Sequence, residues 1–233
     1  MTNQAETLSR MPRLVLRGVR KVFRPAKKIF FREIERSSNP YATHIPVLVG
    51  LSKLLPFSRV AEFGCGQYST LTFLNRQVFP HLEKLDSFET DSEWLAKMEE
   101  QVGRDSRLDL RHVRGEMSKK AETVEVDSYD LVFIDDSTSS EERAETIRMI
   151  ASKRARLTVV IVHDFEVKLY QQAAGLFNNR FRCTVLNPNT GILWNDAHIN
   201  QRKLKLLNNI IRQHRDALAP DELSGWNNAF SDL

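Results

Sequence analysis

The stretch 60–70, VAEFGCGQYST, constrains this chain more than any other. Residues 60–63 read as a buried strand. Gly64 and Gly66 then turn the chain, and a helix opens near Tyr68. Neither glycine carries a Cβ, so the backbone can turn tightly and come close to a ligand. The helix start aims unpaired N–H groups over that turn. Such a strand–turn–helix makes a nucleotide site the default expectation, although GxG alone specifies little. Two details narrow it. Glu62 stands just before the first glycine, and Ser69 and Thr70 stand where the dinucleotide fingerprint would continue to a third glycine. A carboxylate at 62 would repel a pyrophosphate and favour a ligand with a cationic amino-acid group.

Strand and helix signals alternate along most of the remaining chain. A helix over about 45–55, with Pro46 in its first turn, is led by Thr43 and His44. After the glycine turn a helix is expected over 69–78. A strand over 84–88 then ends at Glu89, 25 residues beyond Gly64. An acid in that place suits a ribose, because its two oxygens can accept both sugar hydroxyls. Thr90-x-x-Glu93 reads as a capping box for the next helix, which leaves Glu89 for a ligand. Trp94, Leu95, Met98 and Val102 share one face of that helix and read as core. A third strand, 107–113, is followed by Gly115, Glu116 and Met117. The clearest buried strand is YDLVFIDD, 129–136, whose continuous apolar run suits a central parallel strand. It delivers Asp135 and Asp136 at its C-terminal end, where open α/β sheets place their sites. Residues 137–140 (STSS) cap a helix beginning near Glu141. A fifth strand, 157–162, delivers His163 and Asp164 to the same edge. A helix over 166–174, a hairpin of 181–186 and 191–194, and a helix over 201–215 complete the chain.

Glu62-Phe63-Gly64-Cys65-Gly66 resembles motif I, E/D-x-G-x-G, of class I S-adenosylmethionine (SAM)-dependent methyltransferases, and Tyr68-Ser69-Thr70 looks like a bacterial branch of that family. The resemblance extends from about 41 to 194. It implies an α/β fold, a doubly wound, seven-stranded Rossmann-like sheet closed by an antiparallel hairpin. It also implies SAM as cofactor. Glu62, Gly64, Cys65, Gly66, Ser69 and Thr70 would serve at the first turn, Glu89 and Thr90 at the ribose, and Glu116 and Met117 at the adenine. Asp135 and Asp136 would complete the cofactor site. In the resembled family a helix covers the cofactor at the place of 45–55, which makes His44 a candidate substrate-pocket residue. The alternative for His44 is a cap or packing role.

The implied reaction moves a methyl group to a hydroxyl or amine of a small molecule or glycan. His163 and Asp164 are the candidates for removing the proton, since a histidine titrates in the useful range and an adjacent carboxylate can orient it. Their alternative is structural, with Asp164 capping a helix and His163 packed beneath. Asp135 and Asp164 also resemble positions of divalent-metal catechol and caffeoyl-coenzyme A O-methyltransferases. That pattern continues with Asn, and this chain has Phe165. That departure removes one oxygen ligand; His163 or Asp136 would have to replace it, but a hard Mg²⁺ prefers oxygen, so no metal is assigned. Two other functions remain open: an NAD(P)-dependent oxidoreductase, which shares GxG and a downstream acid, and a catalytically degenerate methyltransferase fold acting as a membrane-surface interaction module.

Charge divides the chain. Residues 1–36 hold ten Lys/Arg and three Glu, a net +7, while the whole chain carries +4. A basic arm, 1–38, therefore precedes a mildly acidic domain, 39–198, followed by a C-terminal helical segment, 199–233, expected to pack on it. The arm reads as two helices, about 12–24 and 26–35. Arg13, Arg17, Arg20 and Arg24 fall on one helical face. It either packs on the domain or lies on an anionic membrane surface. No nucleic-acid partner is expected, because the basic face lacks interleaved stacking aromatics. Cys65 and Cys183 show no metal-ligand spacing and suit a reducing compartment. No apolar run is long enough to span a bilayer, so a cytoplasmic protein is expected, with the arm as its possible membrane contact.

Overall fold

The computed structural model describes residues 39–197, 199–231 and 233. The two helices expected over 12–24 and 26–35, and the basic arm they form, lie outside the described residues. Seven strands build one sheet: β1 (Arg59–Phe63), β2 (Lys84–Glu89), β3 (Leu108–His112), β4 (Leu131–Ile134), β5 (Val159–Val162), β6 (Asn179–Cys183) and β7 (Thr190–Trp194). Their order is β3-β2-β1-β4-β5-β7-β6. The first five run parallel, while β7 pairs antiparallel with both β5 and β6. This is the doubly wound α/β sheet with a closing antiparallel hairpin that the sequence led us to expect. The strand order reverses direction between β1 and β4, and the crevice outside such a switch point is where open α/β sheets bind ligands.

Register sets the site. Phe63 pairs with Phe88 on one side and with Ile134 on the other, and Ile134 pairs with Val162. The next residue on each strand or turn is therefore Gly64, Glu89, Asp135 or His163. All four arrive side by side at one sheet edge. Every residue of β4 and β5 is buried, as a parallel strand covered on both faces demands.

Eight α-helices are described: α1 (Ile45–Leu54), α2 (Ser69–Leu74), α3 (Ser92–Val102), α4 (Met117–Thr123), α5 (Ser140–Ser152), α6 (Lys168–Ala173), α7 (Gln201–His214) and α8 (Leu223–Ala229). One face of the sheet packs with α1, α2, α7 and α8 around Leu48, Leu51, Phe73, Leu207, Trp226 and Phe230. The other packs with α4, α5 and α6 around Met117, Ile147, Ile150 and Tyr170. Gly50 lets α7 approach α1, since a Cβ there would come within 2.7 Å of Leu207 Cδ1.

Local endings differ from the sequence reading in several places, β6 among them, which runs over Asn179–Cys183 where 181–186 was expected. Helix α2 stops at Leu74, because Asn75 is extended (ψ 110°) and caps it. The cap of α3 is Asp91 rather than Thr90. Its Oδ1 accepts from the N–H groups of Glu93 and Trp94 at 2.9 and 3.0 Å. Arg107 precedes β3 instead of joining it, its guanidinium tied to Asp105 and to the Leu74 carbonyl. Helix α8 was not anticipated, although Trp226 and Phe230 stand one helical turn apart and are both fully buried.

Candidate active site

Gly64 leaves β1 with φ +87°, a conformation that favours glycine. A Cβ there would lie 2.3 Å from the Asp135 carbonyl oxygen, so the glycine lets the ends of β1 and β4 close on each other. At Gly66 the constraint is milder, since a Cβ there would meet only Ser69 Oγ, at a tight 3.3 Å. Over this turn lies a cavity of about 370 Å³ lined by Gly64, Cys65, Gly66, Ser69, Trp94 and His44, among others.

Glu62 and Thr70 stand behind the turn. Glu62 is fully buried, and its Oε2 accepts from Thr70 Oγ1 at 2.7 Å and Ser87 Oγ at 2.5 Å. Thr70 Oγ1 in turn accepts from the Gly66 N–H at 3.1 Å. The pair therefore braces the turn from beneath. Burial pushes the Glu62 carboxyl up to about 7, although the Ser69, Ser87 and Thr70 hydroxyls pull the other way. The expectation that its charge faces the ligand and rejects a pyrophosphate does not hold, because the buried side chain lines neither this cavity nor the two beside it.

Two more cavities continue the first along the strand ends. One of about 850 Å³ is lined by Glu89, Thr90, Asp135, Asp136, His163 and Asp164, among others. One of about 1010 Å³ is lined by Phe88, Thr90, Val113, Glu116, Met117 and Asp136, among others. The first and second share Cys65, Trp94 and Asp135; the second and third share Thr90 and Asp136. The result is one trough crossing β4, β1, β2 and β3. Glu89 sits at its middle. Oε1 accepts from the N–H groups of Thr90 and Asp91 at 2.7 and 2.9 Å. Among the described residues Oε2 meets only the Cys65 thiol, at 3.7 Å. Burial and the nearby charges of Glu62 and Glu89 raise that thiol and keep it protonated. Met117 is buried at the start of α4, whereas the Glu116 side chain is largely exposed.

The acidic end of the trough is organised by Arg143 of α5. Its Nη1 lies 2.8 Å from Asp135 Oδ1 and 2.8 Å from Asp164 Oδ2, and Nη2 donates to the Ser137 carbonyl at 2.5 Å. His163 Nδ1 faces Asp135 Oδ2 at 3.2 Å and Asp164 Oδ1 at 3.7 Å. Its Nε2 meets Thr43 Oγ1 at 2.9 Å. Burial works to lower the His163 imidazole, but the hydrogen bond and charge of Asp135 outweigh it and hold it above the usual range. Asp135 is held well below the usual carboxylate range: burial opposes this, and His163 and Arg143 prevail. Asp136 differs. Burial pushes it up to about 6, against the Thr146 hydroxyl, which donates to Oδ2 at 2.6 Å, and against Arg143. Asp164 adopts φ +54°, an uncommon backbone state for a residue other than glycine, and such states cluster where side chains are aimed for a task. His44, at the start of α1, packs its ring against Phe133 and edge-on to His163, with centroids 4.9 and 4.8 Å away. Burial, with the His163 charge, pushes it down to about 3.

The structure thus gathers Gly64, Cys65, Gly66, Ser69, His44, Glu89, Thr90, Asp135, Asp136, His163 and Asp164 at one edge, with Glu116 and Met117 at the far end. Sequence reasoning missed three contributors. Trp94, assigned to the core, donates its indole N–H to the Cys65 carbonyl at 2.7 Å and lines two cavities. Tyr41, 74% exposed, stands at the rim. Arg143 had a readable signal: it falls in the stripe Arg143, Ile147, Ile150, where a charge on an apolar face needs partners.

The sequence matches no protein-family model, and no curated protein matches it. Among solved structures the fold is similar to a candidate O-methyltransferase from Klebsiella pneumoniae. That likeness has 19% identity over 72% of this chain and 90% of the other, with a TM-score of 0.48. An O-methyltransferase family protein from Burkholderia thailandensis is similar at 12% identity, over 67% of this chain and 57% of that one, with a TM-score of 0.46. The N-methyltransferase NodS from Bradyrhizobium japonicum, in complex with S-adenosylhomocysteine, gives 12%, 67%, 87% and 0.43. Likenesses of this size leave the function to be read from the site itself.

Proposed function

We propose that this protein is a SAM-dependent methyltransferase that moves a methyl group to a hydroxyl or amine of a small molecule or glycan. The trough carries the reading. Its chemistry changes along its length in the order that an amino-acid group, a ribose and a purine require. The start of α2 offers backbone N–H groups to the amino-acid end, while those of Gly64 and Gly66 are taken by the Phe88 carbonyl and by Thr70 Oγ1. Glu89, fixed by two backbone N–H bonds, keeps an oxygen for ribose hydroxyls. Phe88, Val113 and Met117 give an apolar bed for a purine ring.

When bound, SAM supplies an electrophilic methyl on its sulfonium. The chain's part is to hold both reactants in line and receive a proton. His163 and Asp164 line the acceptor side of the middle cavity, and Arg143 fixes Asp135 and Asp164 around the imidazole. Tyr41, Tyr170 and Pro188 form the outer wall, where an acceptor of modest size would rest.

Calorimetric titration of the purified protein with SAM, S-adenosylhomocysteine and NAD tests this directly. SAM and S-adenosylhomocysteine should bind and NAD should not. Glu89→Ala should weaken them by about 10- to 100-fold, the worth of one or two hydrogen bonds to a charged group. NAD binding with no response to S-adenosylhomocysteine would move the assignment to an oxidoreductase. The comparison matters because Glu62, being buried, does not itself discriminate between the two ligands.

A further inference from the structure

We propose that His44, Asp135 and His163 form a binding site for one divalent transition-metal ion of the borderline class, such as Zn²⁺ or Co²⁺. One donor atom from each residue lies within 4.8 Å of the others, and an ion with bonds of about 2.0–2.2 Å would draw the widest pair in by about 1 Å. The three come from separate elements that the fold locks together: the start of α1 and the ends of β4 and β5.

His44 is the first reason. It is buried, and neither ring nitrogen has a hydrogen-bond partner among the described residues. A neutral imidazole carries one donor and one acceptor, and each left unmet in the interior costs about 1–3 kcal/mol. A metal ion takes the lone pair directly and so meets one of the two, beside the Asp135 carboxylate.

His163 is the second. Thr43 Oγ1 lies 2.9 Å from the Pro188 carbonyl and 2.9 Å from His163 Nε2. The hydroxyl has one hydrogen. Giving it to the carbonyl leaves Oγ1 to accept from Nε2–H, which satisfies both contacts. Nδ1 then faces Asp135 Oδ2 at 3.2 Å, a contact that a proton on Nδ1 makes in the metal-free protein and that a metal ion would replace. Two neighbouring ligands on one ion stand about this far apart when each bond is about 2.0–2.2 Å. Thr43 thereby acts as the outer partner that fixes the ring, as metal-bound histidines usually require.

Ligand type is the third. The oxygen-rich alternative, Asp135 with Asp164, already holds the Arg143 guanidinium at 2.8 Å from each carboxylate. Two imidazoles and one carboxylate oxygen remain, a set that suits Zn²⁺ or Co²⁺ over Mg²⁺. The ion would sit at the seam of two cavities, since His44 and Asp135 line one and Asp135 and His163 the other. On the methyltransferase reading, on which this last step rests, it would polarise the acceptor oxygen, and Asp164 would stay outside the ligand set as proton acceptor.

The test is a Co²⁺ titration of the chelator-stripped, untagged full-length protein, followed by visible ligand-field absorption. One equivalent should bind with an intense band of low coordination number. Zn²⁺ should abolish the band, and a large excess of Mg²⁺ should leave it. His44→Phe keeps the ring packing and removes the donor; it should weaken binding at least about tenfold, as should His163→Asn. Asp164→Asn should bind Co²⁺ as the parent does. Circular dichroism identifies any variant that fails to fold, and His44→Phe and His163→Asn remove separate ligands, so either one that folds decides. No Co²⁺ binding by the folded parent overturns the proposal, as does binding unchanged in His44→Phe or lost in Asp164→Asn. S-adenosylhomocysteine binding is measured in the same preparation. A protein that binds it and no Co²⁺ sinks only the metal site; one that binds Co²⁺ and not S-adenosylhomocysteine sinks only the methyltransferase reading.

Discussion

Glu62 shows how one residue can hold a site without touching its ligand. A carboxyl raised to about 7 when folded, against an ordinary 4.5, binds its proton more tightly in the native state. Stability from that proton is complete below pH 4.5 and is lost as pH rises towards 7. The full loss is about 3 kcal/mol. Glu62→Gln keeps an oxygen for Thr70 and Ser87 but cannot ionise. Urea unfolding should find the variant more stable than the parent at pH 8, with the gap closing by pH 4.5. An equal gap at both pH values would mean that Glu62 is charged in the native protein and that the brace is ionic.

At the scale of elements, α1 carries the roof of the site on a helix clamped from behind. Its N-terminal end brings Thr43 and His44 over the sheet edge, while its other face meets α7 and α8 through Gly50, Leu207 and Phe230. Leu207→Ala, a buried truncation, should cost about 2–5 kcal/mol in stability. It should also weaken S-adenosylhomocysteine binding measured well below the unfolding midpoint, because the cavity wall loses its support. A stability loss with unchanged affinity would show that α1 keeps its place without the C-terminal helices. The sheet itself was legible in the sequence because β4 and β5 are continuous apolar runs, and a parallel strand covered on both faces has no other pattern. The acids and the histidine at its edge followed from register alone. What stayed hidden depends on contacts between elements distant in sequence. Trp94 lies on an apolar helix face, and only the position of Cys65 gives its indole N–H a carbonyl to reach. Arg143 looks like a misplaced charge until β4 and β5 bring Asp135 and Asp164 to either side of it. Glu62 was misjudged for the related reason that strand alternation, not proximity to the glycines, decides which way a side chain points.

For the whole molecule, the +7 charge of residues 1–36 is the feature that the domain does not explain. No helix among the described residues is long and apolar enough to cross a membrane. Contact of the arm with an anionic surface is an expectation that vesicle sedimentation tests in the full chain. The parent should sediment with vesicles rich in an anionic phospholipid at low salt and less so at high salt. Replacing Arg13, Arg17, Arg20 and Arg24 by Glu should weaken this at least about 100-fold, given about 1 kcal/mol per basic residue near such a surface. Sedimentation unchanged by those replacements would dismiss the arm as the contact.

The place where the arm enters the domain gives that expectation a further meaning. Asn39 Nδ2 bonds to the Tyr68 hydroxyl at 2.9 Å and to Asp221 Oδ2 at 3.3 Å, and Pro40 and Tyr41 follow directly into the wall of the middle cavity. The arm is thus tethered at the rim of the site. If it rests on a surface, an acceptor embedded in that surface is met by lateral diffusion, with the site held at the surface itself. Turnover would then follow the acceptor's surface density and respond little to its amount in bulk solution.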